Sequence, residues 1–230
     1  MTSAVERPVA GYAEIEARLA AAGLRPRGAF CPDRDDGLGP GVAWLLLLGA
    51  IGGSVWPAFE KSAEYSDGEA NPLDRWSARV IGDLAQSLGG TALYPFGGPP
   101  YRPFLRWAQQ AEGLTPSPLG MLIHPLHGLW HSYRGALAFA AVPAGWHTGD
   151  PSPSPCPECA APCLSACPVG AFTAEGYDVV TCRRHLATEA GTPCMSGGCL
   201  ARRACPVAPD LAYDREQTDF HMRAFLGSTP

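Results

Sequence analysis

Nine cysteines stand in this chain, and eight of them lie between positions 156 and 205. From Cys156 to Pro206 large aliphatic side chains are few. Such a segment cannot close an ordinary hydrophobic core, so its centre has to come from something the thiols hold. The first group reads Cys156-x2-Cys159-x3-Cys163-x3-Cys167-Pro168, and the second Cys194-x4-Cys199-x5-Cys205-Pro206, with Cys182 between them. The ninth, Cys31, is far away in sequence and is expected to be a buried structural thiol.

Two-cluster bacterial ferredoxins repeat C-x2-C-x2-C-x3-C-P, and each fourth cysteine ligates the other cluster. Three closely spaced thiolates wrap one face of a cubane. The fourth corner needs a distant residue, and the proline turns the chain away. Crossing of that kind assigns Cys156, Cys159, Cys163 and Cys205 to one four-iron (4Fe-4S) cluster. It assigns Cys167, Cys182, Cys194 and Cys199 to the other. Two four-thiolate zinc sites would use the same eight residues, and disulfides are the third reading. The longer gaps in the second group are expected to bulge out as loops.

The rest of the composition bounds the class. Of 230 residues, 46% are apolar and 17% charged, a globular balance, and 27 Gly with 24 Pro predict many turns. A net charge of −5 disfavours general nucleic-acid binding through phosphates. The longest apolar run, Val42–Gly53, is too short to span a bilayer and predicts a buried strand. Glu6, Glu14 and Glu16 leave no apolar signal region near the start, so the reading is a cytoplasmic protein without a membrane partner.

Hydrophobic spacing predicts helices over Ala10–Ala22, Pro72–Leu88, Phe104–Ala111, Asp178–Glu189 and Glu216–Leu226, the last returning to the first domain. Asn71 is expected to cap the second of these, with Leu73, Trp76, Val80, Leu84 and Leu88 as its buried stripe. Strands are expected over Arg27–Phe30, Val42–Ile51, Thr91–Tyr94, Leu119–Ile123 and Ala136–Val142, and a loop over Gly52–Ala70. Strand and helix alternate up to residue 142, an α/β (α+β) pattern. Pro143–Pro155 reads as a linker. The expected domains are therefore 1–148 and 149–230.

Other candidates are weaker. His127 and His131 could share a helix face and bind a metal, but a turn holding them with His124 is the preferred reading. Most of the six tryptophans are expected in the core, and a few could wall a flat cofactor pocket. Arg183, Arg184, Arg202 and Arg203 flank cluster cysteines and could favour the reduced form. No phosphate-binding glycine loop and no nucleophile–base signature occurs.

The segments Cys156–Pro168, Val180–Ala187 (VTCRRHLA) and Cys194–Pro206 resemble the iron–sulfur half of the epoxyqueuosine reductase family. Gln110–Ala138, with His124-Pro125 and Arg134-Gly135, is similar to that family and to the cobalamin-processing proteins related to it. The resemblance implies a nitroreductase-like first domain binding a corrinoid or, second, a flavin. It implies a small ferredoxin-like second domain whose two clusters pass electrons there, with Cys182 among the ligands. An electron donor of ferredoxin or flavodoxin type and a small-molecule acceptor would be the partners. The family's tRNA-modifying members carry an acid in a D-x-x-P loop, and the matching loop here, Phe96–Pro100, has none. The nearest acids in sequence, Asp83 and Glu112, are expected to face solvent. The tRNA reaction is therefore not expected of this chain. Whether it is an oxidoreductase or a non-enzymatic electron carrier with a docking domain stays open at this stage.

Overall fold

A computed structural model of the chain describes residues 10–149 and 153–227. Glu6 and the middle of the expected linker lie outside those residues. In chain order the elements are α1 (Tyr12–Ala21), β1 (Arg25–Phe30), β2 (Trp44–Ile51), α2 (Trp56–Phe59), α3 (Ala63–Ser66), α4 (Pro72–Leu88), β3 (Thr91–Leu93) and α5 (Phe104–Glu112). They continue with β4 (Thr115–Pro116), β5 (Leu122–Ile123), β6 (His131–Phe139), α6 (Pro162–Ser165), β7 (Phe172–Thr173), β8 (Gly176–Tyr177), α7 (Val179–Leu186), α8 (Thr192–Gly197), α9 (Leu200–Arg203) and α10 (Arg215–Gly227). Packing divides them into two compact units. One comprises the described parts of 1–50, 54–113 and 132–151, and the other those of 51–53, 114–131 and 152–230. Residues 114–131 precede the expected linker and pack within the second unit. Among the described residues no helix is long and apolar enough to cross a membrane.

The first unit is α+β. Its sheet has the order β1-β2-β6-β3, and the β1–β2 and β3–β6 pairs are antiparallel. Strand β2 lies between two neighbours, and Trp44 through Leu48 are fully buried, as an unbroken apolar run requires. Ile15 and Leu19 of α1 are also fully buried, and Gly23 (φ +76°) follows that helix in the left-handed conformation that favours glycine.

Helix α4 has the predicted bounds but not the predicted cap or face. Asn71 is left-handed (φ 53°) and its side chain makes no capping bond. The buried face runs through Trp76, Ser77, Ile81, Ala85 and Leu88, with Val80 and Leu84 at its edge. On that face Arg134 of β6 donates its Nε to the Ser77 hydroxyl at 3.0 Å and its Nη2 to the Asp74 carboxylate, so a serine takes a buried position where an apolar stripe was expected. The expected loop at Gly52–Ala70 contains α2 and α3, because aromatics anchor it: Phe59 packs edge-on against Trp56 at 5.7 Å and Trp76 at 5.9 Å. Trp44, Trp56, Trp76, Trp107 and Trp130 are buried, as expected of most of them.

Strand β1 carries a bulge, with its register shifting between Pro26 and Ala29. Gly28 occupies the bulge at φ +74°, and a Cβ there would lie 2.5 Å from the Glu112 Cγ. The bulge turns Arg27 inward, so that its side chain is 1% exposed and 3.2 Å from the Glu112 carboxylate.

The second unit has little regular structure. Its strand pairs, β4–β5 and β7–β8, are two residues long. Asp178 caps α7 by accepting the Thr181 N–H at 2.9 Å. Helix α10 was expected on the first domain, and its main helical neighbour is α8, within the second unit.

Candidate metal centre

The eight clustered cysteines line two cavities, four in each. Cys156, Cys159, Cys163 and Cys205 surround one of about 20 Å³, walled by Ile123, Leu129, Pro206 and Val207. Cys167, Cys182, Cys194 and Cys199 line one of about 250 Å³, whose further wall includes Met222 and Phe225 of α10. The first space holds about one water.

Local structure explains the sorting. Ala161 is left-handed (φ 51°), and Pro162 starts α6, which carries buried Cys163 back toward the Cys156–Cys159 turn. Pro168 turns the chain after Cys167, whose sulfur accepts the Ala171 N–H at 3.4 Å. Cys182 sits on α7 and Cys194 on α8. Between Cys199 and Cys205 the extra residues form the single turn of α9, not the expected loop. The Cys205 N–H bonds the Arg202 carbonyl at 3.2 Å, and the Arg203 N–H the Cys199 carbonyl at 3.0 Å. One helical turn thus leads from one cavity to the other. Gly128 (φ +55°) admits the next segment, since a Cβ there would lie 2.2 Å from the Val207 carbonyl oxygen.

Burial pushes the Cys156 and Cys163 thiols up, with Cys205 and Cys159 beside them adding to it. Burial likewise raises Cys194 and Cys199, next to Cys182 and Cys167. Against this, the N–H groups of Leu200, Ala201 and Arg202 favour the thiolate at Cys194 and Cys199. The Tyr177 hydroxyl is pushed up by burial and by its hydrogen bond to Cys182.

All nine cysteines are free thiols. Among the described residues no group of three or more His, Cys, Asp or Glu is gathered as a single metal ion would need. The first cavity offers four thiols in apolar walls. The second offers four thiols with His185, 3.9 Å from the Cys194 sulfur, and Arg202 and His221 in its wall, and both donor sets suit iron–sulfur clusters and also soft metal ions. A cluster is held at separate corners, so its ligands do not meet at one point. Cys31 is exposed, contrary to expectation, because it follows the last residue of β1 where the chain leaves the sheet.

The histidines form a turn and not a helix face. His124 bridges to Gly128, and its Nδ1 accepts the N–H groups of Leu126 and His127 at 3.0 and 3.2 Å. The His124 and His127 rings stack at 4.1 Å, and His131 opens β6.

The first unit holds a cleft of about 910 Å³ around the Phe96–Pro100 loop. Its lining includes Asp35, Asp36, Tyr94, Phe96, Arg102 and Arg106, and no tryptophan. The loop itself lacks an acid, yet two aspartates from a turn some sixty residues earlier stand at the same cleft. Glu112, expected to face solvent, is buried against Arg27 and accepts the Tyr133 hydroxyl at 2.5 Å.

The fold and the site define a two-unit α+β protein with two cysteine tetrads. No protein-family model matches the chain, and no curated protein sequence matches it.

Proposed function

We propose that this chain is a cytoplasmic iron–sulfur redox protein whose tetrads hold two 4Fe-4S clusters. The reading rests on one observation: eight thiols sorted four and four, with Cys205 crossing to the first group and Cys167 to the second. Clusters of this type supply one-electron transfer when bound. The chain's own part is to hold the thiolates apart at fixed corners and surround them with apolar side chains. Hydrogen-bond donors such as the Ala171 N–H are aimed at the sulfurs.

The same proposal takes the second unit as ferredoxin-like and the first as nitroreductase-like, within the epoxyqueuosine reductase and cobalamin-processing superfamily. The cleft beside Phe96 is then the place for a corrinoid or, second, a flavin, with a ferredoxin or flavodoxin as donor and a small molecule as acceptor. The motif resemblance and the volume of that cleft support it. The tRNA reaction is left out because the motif acid is missing from the loop, although Asp35 and Asp36 keep carboxylates close by.

The test is anaerobic purification followed by cobalt and flavin assays and an absorption spectrum before and after dithionite. A brown protein that bleaches on reduction and carries cobalt or flavin is the expected result. A brown protein with neither organic cofactor makes it an electron carrier. A colourless protein overturns the iron–sulfur reading.

A further inference from the structure

We propose that Arg202 is a fixed cation set against the second tetrad, giving the cluster of Cys167, Cys182, Cys194 and Cys199 the higher reduction potential of the two; this rests on the iron–sulfur reading above. Arg202 lines the second cavity. Its Nε and Nη2 donate to the Leu129 carbonyl at 3.1 and 2.6 Å. The guanidinium carbon lies 4.2 Å from the centre of the Trp130 ring and 4.7 Å from that of Tyr213. Two aromatic faces and a carbonyl hold the group in one place. The guanidinium keeps its charge at every working pH.

The two tetrads differ in the charges around them. No charged side chain lines the first cavity; its charged neighbours in sequence are exposed Glu158 beside Cys159 and the Arg202-Arg203 pair before Cys205, of which Arg202 lines the second cavity and Arg203 is exposed. Besides Arg202, His185 lines the second cavity with its Nε2 3.9 Å from the Cys194 sulfur, and His221 lines it too, while Asp178, the cap of the helix that carries Cys182, accepts the Thr181 N–H and faces Arg184. Arg183 donates to the Leu226 carbonyl at 2.6 Å, and exposed Arg203 turns to the Gly197 and Tyr213 carbonyls. A four-thiolate cluster gains negative charge on reduction, so a nearby cation stabilises the reduced form. Arg202 is half-buried, where salt screens it less than an exposed charge. The Ala171 N–H on Cys167 acts in the same direction.

The experiment is a redox titration of the reconstituted holoprotein followed by electron paramagnetic resonance. Wild type should show two potentials, and Cys182→Ala should remove or alter the signal of the higher one. Arg202→Met should lower the higher potential by at least tenfold in the one-electron equilibrium, about 59 mV, and shift the lower one less, since Arg202 lines the second cavity and meets the first only through the carbonyl of Leu129 in its wall. Arg202→Lys keeps a charge without the stacked fork and should give a smaller drop, which serves if the methionine variant does not fold. Arg18→Gln, exposed on α1 of the first unit where it pairs with Glu14, should move neither. Equal potentials in wild type, a shift confined to the lower potential, or no shift in either Arg202 variant would overturn the proposal. Wild-type protein with zinc or without iron would instead overturn the reading beneath it, before any potential is measured.

Discussion

Glu112→Ala should lower the unfolding free energy of this protein by about 3–5 kcal/mol, the usual cost of stripping one partner from a buried ion pair. The Arg27 side chain is 1% exposed and that of Glu112 11%, with 3.2 Å between the groups. Tyr133 donates its hydroxyl to the same carboxylate at 2.5 Å. Burial pushes the Glu112 carboxyl and the Tyr133 hydroxyl up, and the Arg27 charge opposes both. Removing the carboxylate leaves a buried guanidinium without its counter-charge and a buried phenol without this acceptor. Reorganisation is restricted because Gly28 packs its backbone directly on Glu112. Urea unfolding followed by circular dichroism measures the loss, and a change below about 1 kcal/mol would contradict the account. The double variant Arg27→Met with Glu112→Leu removes both charges together and should be far milder.

Cys182→Ala should purify with about half the iron of wild type, or with one cluster converted to a three-iron form. Cys182 lines the second cavity with Cys167, Cys194 and Cys199, and Tyr177 hydrogen-bonds it. Alanine leaves that cavity three thiols, enough to retain three irons and not four. Cys31→Ala is the control, since Cys31 is exposed at the end of β1 in the first unit. Iron analysis and electron paramagnetic resonance after identical anaerobic reconstitution decide the matter. Equal iron in wild type and Cys182→Ala would remove Cys182 from the site.

What could be read in the sequence was local. The apolar run of β2 and the Pro72 start of α4 each carry their own signal within a few residues, and strand and helix formed there. Within each cysteine run the signal is local too, since turns, prolines and short helices fix neighbouring thiols, whereas the crossing of Cys205 to Cys163 and of Cys167 to Cys194 came only from the analogy with ferredoxins. Contacts between distant segments were not legible. Arg27 and Glu112 are 85 residues apart, and neither has a motif announcing the other. Arg134 meets the buried Ser77 of α4 through a hydrogen bond spanning 57 residues. Asp35 and Asp36 reach the Phe96 cleft only through folding. Cys31 has no periodic context, so residue type alone misplaced it in the core. The turn of α9 was hidden in the spacing between Cys199 and Cys205, and nothing in five intervening residues separates a helical turn from a loop.

The most direct test of the central claim is the metal content of the anaerobically reconstituted chain, measured with acid-labile sulfide. The two tetrads require about eight irons and eight sulfides per chain. Zinc in place of iron, or iron without sulfide, would contradict the account.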